Sequence, residues 1–315
     1  AMTLTPLDTI DLPLDDRRDG KVRVSYAFGN DRRLFVTTDR LSAFDRIIAL
    51  VPFKGQVLNQ LAGWWFEQTA DIVANHVESL PDPNVLIARA ATPLTVEVVV
   101  RGHITGVTDT ALWTQYMTGA RTIYGHDFPD GLLKNTRLPE PIVTPTTKGE
   151  MGSHDVPLSC AAVVNEGHVE SELWAQVQAV ALAVFDRGCE RAADAGLILA
   201  DTKYEFGLDS NGELMLIDEV HTPDSSRYWI ADTYDALVTA GNEPQSLDKE
   251  VVRRALADVG YTGEGDVPKL PAEVWEQTSA RYIETYERLT GLTFERGTYP
   301  ADQRIKDAVA TLETP

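Results

Sequence analysis

The stretch Leu197 to Val220 reads LILADTKYEFGLDSNGELMLIDEV, two apolar runs joined by Asp-Ser-Asn-Gly. Asn-Gly between such runs is a strong short-range hairpin signal, so strands over 197–206 and 214–220 are expected. Side chains alternate between the faces of a strand. Asp201, Lys203 and Glu205 then share one face, and Ile198, Ala200, Thr202, Tyr204 and Phe206 the other. A two-residue Asn211-Gly212 turn sets Asp218 opposite Glu205, and a four-residue turn sets it opposite Lys203. Either places Asp218 on the charged face; a three-residue connection would break the arrangement. Glu219 points the other way.

Charges are rarely buried without partners, and carboxylates facing each other across a ladder repel. A divalent cation removes that repulsion. Mg²⁺ takes oxygen ligands, typically one or two carboxylates plus phosphate oxygens, and a lysine beside them suits a phosphate. The plainer alternative is a solvated hairpin whose Lys–Glu pair contributes at most ~1 kcal/mol. The very apolar strand cores favour charges lining a cleft, and the spacing alone supports the metal–phosphate and solvated-hairpin readings equally.

Composition sharpens the metal–phosphate reading. The 315 residues carry 28 Lys and Arg against 48 Asp and Glu, a net charge of -20. A bulk surface of that sign disfavours nucleic acid and anionic membranes, and also repels small anions. A phosphate-bearing ligand must therefore meet a local basic cluster. Lys21 and Arg23, on one face of a first hairpin in GKVRVSYAFGNDRRLFVTTD, form a candidate phosphate clamp. No apolar run reaches the ~20 residues of a membrane span. The first residues lack the basic start and apolar block of a signal peptide. Cys160 and Cys189 fit no metal or redox spacing, so free thiols in a reducing, cytoplasmic setting are expected.

Elsewhere the pattern reads as helix over LNQLAGWWFEQTADIV and strand over LTVEVVVRG, with Glu97 and Arg101 opposite Val96, Val98 and Val100. The Pro-, Gly- and Thr-rich region Gly119 to Ser159 reads as long loops. Glu170 to Ala195 is the clearest helix, stopped by Gly196, and LDKEVVRRALADVG and PAEVWEQTSARYIETYERLTG supply two more. The order implies an α+β chain: a β-rich lobe (1–98), an α+β lobe (99–240) and a helical segment (241–315) packed on the second lobe. GxxxxGK[ST], GxGxxG, GxSxG and HExxH are all missing, so P-loop, Rossmann, serine-hydrolase and zincin modes have no support. DRLSAFD (Asp39 to Asp45), RGHITG and TPDSSR combine hydroxyl, charge and glycine in the manner of ligand loops, though each also reads as a cap or turn. His154 and His221 stand near these loops and read as polar loop members as readily as site residues.

Taken together, GKVR, TTDRLSAFD, KGQVLNQLAGWWFEQT, VEVVVRGHITG, EPIVTPTTKGEMGSHD, ILADTKYEFGLDSNGELMLIDEVHTPDSSRYW and TSARYIETYERLTG resemble, in order, the SAICAR synthetase family. The resemblance runs from about Gly20 to Gly291. It implies an ATP-dependent, Mg²⁺-using ligase of purine biosynthesis that joins L-aspartate to the carboxylate of carboxyaminoimidazole ribonucleotide, giving SAICAR, ADP and phosphate. It also implies ATP in a cleft between the two lobes, in a monomer or small homo-oligomer. By position in the motifs, Lys21 and Arg23 would contact ATP phosphates and Glu97 would lie at the adenine-side hinge. Glu205 and Asp218 would hold Mg²⁺, with Lys203 by the phosphates. Arg101, Asp155, Asp224, Ser225 and Arg227 would bind substrate, with Lys249 and Arg253 as further candidates for the ribonucleotide phosphate. Three positions depart from the family: Val24-Ser25 for Asp-Ile, Val107 for a substrate-facing serine that Thr108 could replace, and His221 for Leu. Another ATP-dependent ligase or kinase on this scaffold would keep Lys203, Glu205 and Asp218 but alter the TPDSSR and RGHITG loops.

Overall fold

Alternation of Val24, Tyr26 and Phe28 with polar neighbours gives a strand with one apolar face. In the computed structural model, which describes residues 5–44, 46–148, 155–261 and 263–312, this becomes the strand Arg23–Ala27, paired antiparallel with Arg32–Thr37 so that Val24 faces Val36. Asp45 and His154 lie outside the described residues. Arg18–Asp19, Val85–Arg89 and Val77–Asp82 complete a five-stranded antiparallel sheet. Its core of Val24, Tyr26, Leu34, Val36 and Ile87 is closed by Leu7 and Ile10 and by Ala301, Ile305 and Val309 of the last helix, Ala301–Ala310. Those three positions form one stripe of the helix, and Arg304 beside them bonds Asp82 (2.9 Å) and Asn84 (2.7 Å). The end of the tail therefore packs on the N-terminal sheet, not on the second lobe as the sequence reading had it.

The helix Lys54–Gln68 lies between this sheet and a second one. It starts where Gly55 lies against the strand end: a Cβ there would sit 2.4 Å from the Thr37 carbonyl oxygen. Only glycine permits that approach. The second sheet runs Arg137–Thr147, Val96–His103, Leu197–Leu208, Leu214–Ile217, with Ser226–Ile230 and Thr92–Pro93 also paired to Leu197–Leu208. The helix Ser171–Asp194 covers its apolar face with Trp174, Val177, Ala181, Val184 and Phe185. The molecule is α+β. The eleven-residue strand Arg137–Thr147 corrects the reading of Gly119 to Ser159 as loops. It is an edge strand, where Pro139, Pro141 and Pro145 cost no ladder bond on the open side, and its register shifts between Arg137 and Ile142.

The central hairpin departs from both expected registers. Leu208 pairs with Leu214 and Glu205 with Ile217, and the Asp209 amide donates to the Glu213 carbonyl (3.0 Å), closing a three-residue Ser210-Asn211-Gly212 connection. Gly212 takes φ 80°, and the Asp209 carboxylate accepts from the amides of Asn211 and Glu213. An odd connection inverts parity, so a continued strand would have carried Asp218 to the core face. The ladder instead ends at Ile217, and Asp218 adopts φ 70°, which turns its side chain back to the charged face. A bulge between Leu199 and Asp201 also exchanges faces, so Leu197 and Leu199 join the core below the charged row. Cys160 and Cys189 are free and half-buried, with burial pushing their thiols up to about 11 and about 12. No helix of the described residues is long and apolar enough to cross a membrane.

Candidate active site

Three charged clusters lie along the strand Leu197–Leu208 and its neighbours. The first centres on Lys203. Its Nζ donates to Glu205 Oε1 (2.7 Å) and Glu97 Oε1 (3.1 Å) and lies 3.8 Å from Asp218 Oδ2. Glu97 reaches it diagonally, because Lys203 stands opposite Val99 in the ladder. Lys148 bonds the other oxygen of Glu205. Arg23, from the first sheet, donates to Asp218 Oδ1 at 2.5 Å and to the Asp218 carbonyl at 3.2 Å, so it ties the two sheets together at this point. A cavity of about 20 Å³, room for one water, opens between Val22, Arg23, Thr37, Asn59, Asp218 and Glu219.

Burial opposes charge on Glu205, but Lys203 and Lys148 outweigh it and hold the carboxyl well below the usual range. Burial likewise opposes charge on Lys203, and Glu205, Asp218 and Glu97 more than offset it, so the amine stays protonated far above neutrality. Glu97 and Glu219 are pushed up, chiefly by burial; the Glu205 charge adds to this at Glu97, and the Asp218 charge at Glu219. The cluster gathers Glu97, Glu205 and Asp218 around Lys203, with Lys148 and Arg23 as further cations on Glu205 and Asp218. No cage of three or more His, Cys, Asp or Glu residues occurs among the described residues. Glu205 and Asp218 offer the two carboxylates that Mg²⁺ uses when phosphates complete its shell, and the fit is to that ion rather than to a metal wanting an all-protein cage.

The second cluster lies in TPDSSR and was only half legible. Asp224 accepts from Lys54 Nζ (2.8 Å) and Tyr282 Oη (2.6 Å). The Lys54 side chain is fully buried and that of Asp224 is 5% exposed. Burial raises the Asp224 carboxyl, but Lys54 and Lys249 overcome it and bring it to about 2. Burial lowers Lys249 to about 8 against the attraction of Asp224, with Arg253 and Lys54 adding repulsion. Lys54 and Tyr282 were not picked out from the sequence. Lys54 sits in KGQVLNQL and Tyr282 in TSARYIETYERLTG, and a lysine at the start of an otherwise apolar helix was the available signal. Ser225 binds within the same loop, donating its amide to the Thr222 carbonyl (3.1 Å), and its own carbonyl accepts from Lys203 N (3.0 Å).

The third cluster is a cross-strand row. Asp201 stands opposite Arg101 on one side and Arg227 on the other. Arg227 bonds it at 2.6 Å and Arg101 approaches to 3.7 Å. Glu250, at the start of the helix Glu250–Asp258, accepts from Arg253 at 3.0 Å and lies 3.6 Å from Arg227. Burial raises Glu250, but Arg227 and Arg253 overcome it and hold the carboxyl at about 2. The Nε atoms of Arg227 and Arg253 are buried without a hydrogen-bond partner among the described residues. Three guanidiniums against two carboxylates leave the row with an excess of positive charge. Of the other expected residues, Lys21 is exposed beside Arg23, and Asp155 is exposed but close enough for its charge to raise Glu97. Thr108 is half-buried and Val107 exposed.

The family model described as SAICAR synthetase matches residues 16–270, well over half of the chain. The chain belongs to the SAICAR synthetase family. As a SAICAR synthetase it is a ligase of purine biosynthesis. It is 47% identical over 297 residues to the phosphoribosylaminoimidazole-succinocarboxamide synthase of Legionella pneumophila (strain Lens), covering 93% of this chain and 94% of that one. It is 50% identical over 275 residues, 87% of each, to a putative synthase of the same name from Agrobacterium fabrum (strain C58 / ATCC 33970). The SAICAR-synthase from Saccharomyces cerevisiae complexed with SAICAR superposes with TM-score 0.76 at 33% identity, covering 94% of this chain and 100% of that one. A SAICAR synthetase (Type-2) in complex with ADP does so with TM-score 0.68 at 26% identity, covering 89% of this chain and all of the other.

Proposed function

We propose that the chain joins L-aspartate to the carboxylate of carboxyaminoimidazole ribonucleotide with cleavage of ATP to ADP and phosphate. The observation that carries this is the convergence of Glu97, Glu205 and Asp218 on Lys203, closed from the first sheet by Arg23. The complexes of relatives with SAICAR and with ADP support the same assignment. ATP would lie between the sheets, its phosphates toward Lys203, Arg23 and Lys21. The arginine row of Arg101, Arg227 and Arg253 would hold the ribonucleotide, and Asp224, Ser225 and Lys249 would bound the other side.

A carboxylate needs activation before an amine can displace one of its oxygens. In the proposed sequence a carboxylate oxygen of the ribonucleotide attacks the γ-phosphorus, the bond to the β–γ bridging oxygen breaks, and ADP leaves. The aspartate amine then attacks the acyl carbon and loses a proton. The carbon–oxygen bond to phosphate breaks, and phosphate leaves with the former carboxylate oxygen. Such transfers are governed by positioning and charge neutralisation, which fixed lysines and arginines provide. Lys203, protonated throughout the neutral range, marks where the transferred phosphoryl charge would rest. Magnesium bound by Glu205 and Asp218 would further neutralise the phosphates. Ribonucleotide labelled with ¹⁸O in the carboxylate should give up label to the released phosphate; unlabelled phosphate would rule out the acyl phosphate.

Lys249 gives a pH signature. Its amine loses charge as pH rises through about 8, so KM for the anionic ribonucleotide should climb between pH 7.5 and 9. The variant Lys249→Gln should start from a higher KM and lack that climb. An identical pH profile in both proteins would remove Lys249 from the ribonucleotide site. On stability the sign is opposite: a base depressed in the folded state disfavours folding below about 8, and the penalty is relieved as pH rises.

A further inference from the structure

The segment Asp218 to Asp224 joins two parts of the site, with the expected metal carboxylate at one end and the buried Lys54 partner at the other. Its backbone enters the left-handed region twice, at Asp218 (φ 70°) and at His221 (φ 49°). His221 is wholly buried in the middle of it. Its Nε2 is hydrogen-bonded to the Tyr204 hydroxyl, and its carbonyl accepts from Tyr228 Oη at 2.6 Å. The Trp65 ring meets the imidazole edge-on at 4.5 Å. On the remaining side lies Gly188 of the long helix, where a Cβ would fall 2.4 Å from His221 Cε1. The pocket is thus shaped to the imidazole. Nδ1 has no hydrogen-bond partner among the described residues, so the ring is a poor choice for stability alone. Histidine does tolerate the left-handed backbone better than most side chains. Tyr204 stands between Lys203 and Glu205 in the strand, on the opposite face. The same short stretch of strand therefore presents the phosphate lysine above and grips the segment from below.

We propose that Tyr204 and His221 are positioning residues that lock the 218–224 segment, setting Asp218 relative to Lys203 and Glu205. Neither touches substrate. The proposal rests on the reading of Asp218 as a ligand of nucleotide-bound Mg²⁺. Tyr204→Phe removes a single hydroxyl from a buried ring. Expected results are a thermal midpoint within a few degrees of wild type, kcat about 10–100-fold lower and a raised Mg²⁺ requirement. The decisive readout is ADP binding with and without Mg²⁺, which needs no turnover: the Mg²⁺-dependent gain in affinity should shrink at least several-fold in the variant. If Tyr204→Phe does not fold, His221→Asn keeps a residue suited to the left-handed backbone and gives the same readout. A wild-type gain with Mg²⁺ that is unchanged in the variant overturns the positioning role. No gain in the wild type overturns the metal reading beneath it. A lower midpoint with kcat per folded molecule and Mg²⁺ dependence unchanged would show packing alone and also overturn the proposal.

Discussion

Replacing Asp218 with asparagine should lower kcat about 10²–10³-fold, the scale found when one preorganised electrostatic group is deleted. The fold should survive. Asp218 is 23% exposed at its side chain, and its partners Arg23 and Lys203 are 20% and 30% exposed. Asparagine keeps an oxygen for Arg23 to bond, and Arg23 retains Glu219 at 3.8 Å, so no lone charge is left. Asparagine also accepts the left-handed backbone that Asp218 adopts. Steady-state ADP release together with thermal unfolding checks both halves. Near-wild-type turnover with Mg²⁺ would remove Asp218 from the metal site.

The second large effect is on stability. Lys54 and Asp224 form a buried pair, and removing Lys54 takes away the cation bonded to the carboxylate, leaving only the Lys249 charge to oppose its burial, a loss of up to about 3–5 kcal/mol. For a chain of this size Lys54→Met should lower the thermal midpoint by on the order of 10 °C. The double variant Lys54→Met/Asp224→Leu should lose less than the sum of the single losses, because Asp224→Leu removes the carboxylate that Lys54→Met strands. Additive losses in the double variant would show that the pair is not coupled. The pair also predicts acid behaviour. Asp224 titrates at about 2 in the folded protein against an ordinary 3.8. Its stabilisation is complete above the unfolded value and disappears as pH falls from about 4 through about 2.

The charged row in the hairpin was legible because alternation over Asp201, Lys203 and Glu205 is a property of any strand. The position of Asp218 was reached by a route the sequence did not show. The connection is odd, which breaks the expected register, and a left-handed residue after the strand restores the side chain to the site. Short-range pattern cannot distinguish these turns, since Asn-Gly serves several of them. Local pattern gives Asp201 no partner, and the sheet supplies two: Arg101 and Arg227 flank it from strands 100 and 26 residues away. Lys54 was hidden for a similar reason. Its partner lies 170 residues on, and a lysine at a helix start reads locally as solvated. The strand Arg137–Thr147 was obscured by prolines that only an edge position accommodates. The stripe of Ala301, Ile305 and Val309 does not specify which sheet the last helix covers.

The most direct test of the account is steady-state ADP release with saturating ATP, Mg²⁺ and carboxyaminoimidazole ribonucleotide, in the presence and absence of L-aspartate. Turnover should require aspartate and yield one SAICAR per ADP. ATP turnover indifferent to aspartate would contradict it.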